Sequence, residues 1–217
     1  MGDRFVTVRS NSHEGRIASG LQAIRNTGQE AQMRKELAEA VSRLIATVDP
    51  SKTYEVTEPD ENVIVRAANL VTLARTSVEL DYRGDVVDAH APEMPTRLAK
   101  QLTQIMRGAV AIGMRPYEAQ TLALRCARDS IPQLRLDVLK DIEASPASTA
   151  TDVRRRLQKP RATVDRTLQA LHILELLKCD EDQITDETGK TVSRWFYQLA
   201  DGIRIRDVLG ISWRGCK

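Results

Sequence analysis

Aromatic side chains are scarce: two Trp, four Tyr and two Phe in 217 residues. A core built with so few must rest on Leu, Val, Ile and Ala, as in many helical proteins. Cysteine and histidine are equally sparse. Cys126, Cys179 and Cys216 are odd in number and far apart, which argues against a disulfide framework and a cysteine-rich zinc site. His13, His90 and His172 are likewise scattered and show no metal-ligand spacing. The expectation is therefore no metal and no cofactor, and reduced thiols in a cytoplasmic protein. Apolar runs such as Ala109–Met114 fall far short of the roughly 20 residues that cross a bilayer. The opening Met1-Gly2-Asp3-Arg4-Phe5 does not begin a secretory signal, so no membrane partner is expected. Charge of one sign is also lacking. A net +2 is too small to imply nucleic acid by itself, and only its distribution carries information.

A glycine-rich phosphate loop is missing too. Gly189-Lys190-Thr191 has the right last three residues, but Ile184 stands where the loop needs its first glycine. Thr191 to Tyr197 is rich in β-branched and aromatic residues, which favours a strand over the helix that must follow such a loop.

What is present is helical periodicity. Residues 1–28 give an irregular segment with a short strand around Phe5, Val6 and Val8. From Gln29, Met33, Leu37, Val41, Leu44 and Val48 recur at helical spacing as far as Asp49-Pro50. A second helix is expected from about Glu61 to Tyr82, stopped by Arg83-Gly84-Asp85, with an extended piece at Val86–His90. A third runs from about Pro95 to Gly113, and Pro116 suits the first turn of a fourth that ends near Ser130. Residues 29–132 thus form a helical bundle, 133–200 a second unit, and 201–217 a C-terminal tail.

In that second unit Leu134, Leu136, Val138, Leu139 and Ile142 mark an amphipathic helix. Thr149 and Asp152 have capping-box spacing and start a short helix whose Val153 and Leu157 face inward together. Lys159-Pro160 breaks it, and a new helix starts at once. A strand at Leu176–Cys179, a polar turn and the strand Thr191–Leu199 follow. With its T-x-x-D-V-x-x-x-L and T-V-x-R-x-L-x-x-L segments, Thr149–Leu199 resembles the winged helix-turn-helix domain of bacterial transcription regulators. The expected fold class is mainly α, a helical bundle followed by a winged helix-turn-helix with a two-stranded β wing. In this family a glycine usually precedes the wing, where this chain has Glu175, and a small buried residue usually stands at the position of Arg154.

The resemblance implies double-stranded DNA as partner, with transcriptional regulation or replication control as the role. At 100° per residue, Val164, Leu168 and Leu171 form the buried stripe of the recognition helix, with Ala162, Arg166 and Gln169 opposite. Arg166 suits guanine or a phosphate, and Gln169 suits adenine. Arg161 and Thr163 sit at the helix start, where the dipole favours an anion. Arg155 points directly away from Val153 and Leu157, Arg156 lies to one side, and Lys159 follows in the turn. Between residues 150 and 170 six basic residues face two acidic ones, a local +4. From Lys178 to Lys190 the balance is −3, so on the wing only Lys190 and Arg194 are expected to reach phosphate.

The stretch PEMPTRLAKQLTQIMRG resembles the lid of AAA+ ATPases of phage and plasmid replication. That resemblance makes Arg97 a lid arginine and implies an ATPase core as partner, the chain being a piece or derivative of a larger ATPase. A homodimer, and a winged helix used only for protein contact, are the other readings. None assigns this chain a catalytic residue of its own.

Overall fold

The computed structural model describes residues 6–10, 14–49, 51–185 and 191–205. Over those residues the fold is mainly helical, with eight helices and two small antiparallel sheets. Two helices come first, α1 (Arg16–Arg25) and α2 (Glu30–Ala46). Neither buries a single residue. α2 had been expected in the bundle; instead Met33, Leu37, Val41 and Leu44 are exposed. An apolar stripe specifies a helix, but not the surface that covers it. α1 was not anticipated. Val6–Ser10 forms no strand, yet it is tied down: the Arg9 N–H donates to the buried Asp129 at 3.0 Å, and the Arg9 guanidinium donates to the Ile131 carbonyl.

The bundle proper is α3 (Glu58–Arg75), α4 (Thr96–Ala111) and α5 (Pro116–Asp129). Thr57 caps α3 by accepting from the Asp60 N–H, and three acidic residues in its first turn suit the dipole. α4 turns Leu98, Leu102, Met106 and Ala109 inward. α3 stops at Arg75, short of the expected Tyr82. Val78–Leu80 (β1) and Val86–Ala89 (β2) form a hairpin instead. Asp81 shapes its tip, its Oδ1 accepting from the N–H groups of Arg83 and Asp85, both at 2.8 Å. This is an Asx turn, and Gly84 completes it at φ 82°.

α6 (Gln133–Ala144), α7 (Ala150–Leu157) and α8 (Arg161–Ile173) follow, then β3 (Leu177–Thr185) and β4 (Thr191–Leu199). β3 runs well past the expected Cys179, because it pairs residue by residue with β4 from Leu177↔Leu199 to Thr185↔Thr191. Lys190, Gly189 and the tail from residue 206 onward lie outside the described residues. One continuous apolar cluster runs from Ile64 through Met106, Leu139, Leu168 and Leu177 to Ile205, so both halves share a core. Arg135 on α6 secures the junction by donating to the carbonyls of Ala74 and Thr76 at 2.8 and 2.6 Å. A cation at the end of α3 meets the negative end of its dipole. Burial lowers the pKa of this guanidinium, which nevertheless keeps its charge.

Candidate nucleic-acid interface

Three exposed arginines on different elements surround one groove. It holds about 660 Å³ and lies between the first turn of α7, one side of α8 and the strand β4. Arg155 comes from α7, Arg161 from the start of α8 and Arg194 from β4. Asp152 and Asp165 also line it, leaving an excess of one positive charge. Trp195 stands on its rim, 53% exposed.

Local chemistry explains the frame. The Thr149 hydroxyl accepts from the Asp152 N–H at 3.3 Å, and the Asp152 carboxylate accepts from the Thr149 N–H at 3.1 Å, so the capping box is closed in both directions. The Thr149 hydroxyl beside Asp152 holds that carboxyl below its usual range, and the arginines of α7 add to this. α7 ends at Gln158 in the left-handed region, φ 52°. Pro160 then precedes α8. Behind the turn, Val153, Val164, Leu168 and Leu171 are fully buried. α8 passes to β3 through Glu175, also left-handed at φ 58°.

The ribbon is anchored at its base. Tyr197 and Ser148 exchange two backbone hydrogen bonds, 2.9 and 3.1 Å, joining β4 to the α6–α7 connection. The Tyr197 ring packs on the core, and its hydroxyl pKa is pushed up, first by burial and then by Cys179, its cross-strand partner. Phe196 is half-buried. Asp180, Glu181 and Asp182 are exposed along β3, and Asp182 stands opposite Arg194 in the register.

The remaining expected site residues separate into groups. Lys159 and Thr163 are exposed at the turn and the α8 start. Arg161 makes an ion pair with Asp165 at 3.5 Å, one helical turn away. Arg156 does not face the groove. Its Nε and Nη2 donate to both oxygens of Asp141 at 2.8 and 2.7 Å, and Nη2 also donates to the Ser148 hydroxyl. Gln169 also lines the groove, half-buried, but its Oε1 is buried and unpartnered, so this oxygen is not presented to solvent. Arg166 is on the outer side of α8, as expected, but it is engaged: its Nη2 donates to the Arg83 carbonyl at 3.0 Å. Arg97 lies apart on α4, paired with Glu93 at 3.3 Å; Glu93 also binds Arg75 at 2.7 Å. Lys190 is outside the described residues.

The contacts of Arg156 and Arg166 had no local signal, since their partners lie 15 and 83 residues away. Among the described residues no group of His, Cys, Asp and Glu is arranged to hold a metal ion. No helix there is long and apolar enough to cross a membrane. Comparisons with protein-family models, with curated proteins and with solved structures gave no match to this chain.

Proposed function

We propose that this chain is a double-stranded-DNA-binding module, with α6, α7, α8 and the β3–β4 ribbon acting as a winged helix-turn-helix. One observation carries the reading: Arg155, Arg161 and Arg194 converge on a single groove beside a short helix, a tight turn and a second helix with apolar backs. Such a frame lets the start of α8 approach a major groove, with arginines of α7 and β4 on the flanking phosphates. The helical half then joins the module to a partner, either a second copy or an ATPase core. The exposed apolar stripes of α1 and α2 support such a partner.

Binding of a mixed-sequence duplex, followed by fluorescence anisotropy over a salt series, tests the proposal. Affinity should fall steeply with salt, and Arg155→Ala, Arg161→Ala and Arg194→Ala should each weaken it. Binding unaffected by all three would remove this interface. The acidic edge of β3, Asp180 to Asp182, favours a second reading in which the ribbon contacts a basic protein. That reading requires no duplex binding, and capture of the basic partner that Asp180→Asn and Asp182→Asn abolish together.

A further inference from the structure

The β1–β2 hairpin rests on the pole of α8 that a duplex would have to meet. Arg166 lies about 200° around the helix from the buried Val164, so its side chain is the outermost of the central turn. Its guanidinium is nevertheless occupied: Nη2 donates to the Arg83 carbonyl at 3.0 Å. Gly84 lies directly beneath. A Cβ at that position would stand 2.6 Å from Nη2 and 2.9 Å from Cζ of Arg166, and the backbone there has φ 82°. Only glycine permits both this approach and this turn. Asp81 preforms the tip through its two backbone hydrogen bonds.

From the DNA reading above, we infer that this hairpin is a built-in competitor: its tip engages the guanidinium of the exposed Arg166, and a duplex binds fully only when the tip has moved aside. Three observations favour a cover over an additional DNA-contacting arm. One nitrogen of the fork that a guanine or phosphate would use, Nη2, is already engaged by a backbone carbonyl. The hairpin carries Glu79, Asp81, Asp85 and Asp88 against the single Arg83, so it repels a phosphate backbone. The one cation is turned onto its neighbour, the Arg83 guanidinium lying 5.1 Å from the centroid of the Tyr82 ring. The tip contact is also solvent-exposed, and one exposed hydrogen bond is weak enough for a ligand to displace, while the base of the hairpin stays packed on the core through Val78 and Ala89.

The test compares wild type, Gly84→Ala and Asp81→Ala, with a mixed-sequence duplex of roughly 30 base pairs, about three helical turns. Gly84→Ala adds a Cβ that displaces the Arg166 guanidinium from the tip, and Asp81→Ala removes the acceptor that holds the tip together, without adding bulk at the contact. Both should lower Kd about 2- to 10-fold, the worth of one exposed hydrogen bond, with circular dichroism unchanged. On addition of duplex to wild type, amide hydrogen exchange across 81–88 should accelerate. Unchanged or weaker binding by both variants, or protection of 81–88 by the duplex, overturns the cover and leaves DNA binding in place. No binding by wild type or by either variant removes the DNA reading, and the cover with it.

Discussion

Arg156 holds Asp141 with two parallel hydrogen bonds, Nε to Oδ1 and Nη2 to Oδ2, fixing α7 against α6. The Asp141 side chain is only 10% exposed and the arginine 36%. Arg156→Ala should cost about 1–3 kcal/mol of stability in chemical denaturation, since it strands a mostly buried carboxylate while solvent screens part of the pair. Arg156→Lys should recover only part of this, because an ammonium lacks the planar fork.

Its neighbours should behave in the opposite way. Arg155, Arg161 and Arg194 line the groove and are exposed. Their alanine variants should change stability by no more than about 0.5 kcal/mol. In duplex binding, each should lower the slope of log K against log salt by about one. Equal slopes for wild type and all three variants would remove phosphate contact at the groove.

Arg135 offers a third test. It serves two carbonyls at the end of α3 from a half-buried position. Arg135→Met keeps the length and removes the donors, so it should destabilise by about 2–3 kcal/mol. The duplex affinity of the protein that remains folded should be unchanged.

The capping box predicts a pH dependence. Asp152 has its pKa lowered, chiefly by the Thr149 hydroxyl. A carboxylate with a depressed folded-state pKa stabilises the fold above its unfolded value, near pH 4, and loses that contribution as pH falls through the folded value. Asp152→Asn should therefore be less stable than wild type at neutral pH. The two melting curves should draw together below about pH 4.

Glu175 gives a test of opposite sign. Its left-handed backbone costs a side-chain-bearing residue about 1–2 kcal/mol, while glycine pays a smaller entropic cost. Glu175→Gly should raise stability by up to about 1 kcal/mol. A loss in thermal denaturation would show that the glutamate side chain makes a contact that outweighs the strain.

How much of this was legible in the residues depended on range. Local chemistry was readable: Thr149 and Asp152 closed as a capping box, Pro116 opened a helix, and Val164, Leu168 and Leu171 turned inward. The end of α3 was not, because Val71, Ala74 and Val78 continue a helical spacing although Val78 pairs with Ala89 in a strand. Tertiary pairing overrode periodicity there. α2 shows the converse, its stripe correctly marking a helix that nothing among the described residues covers. The site was legible as a set of cations but not in their duties. Arg155 and Arg156 are adjacent in sequence, and only the fold assigns one to the groove and the other to Asp141.

The corners at Ala147, Gln158 and Glu175 turn left-handed without a single glycine among them. Bends of that kind have little slack, because every rotation away from the observed angles meets a Cβ. A pull on the ribbon or a push on α7 should travel around these corners as through a crankshaft. Compliance should then concentrate at the β1–β2 tip, where Asp81 and Gly84 form the joint.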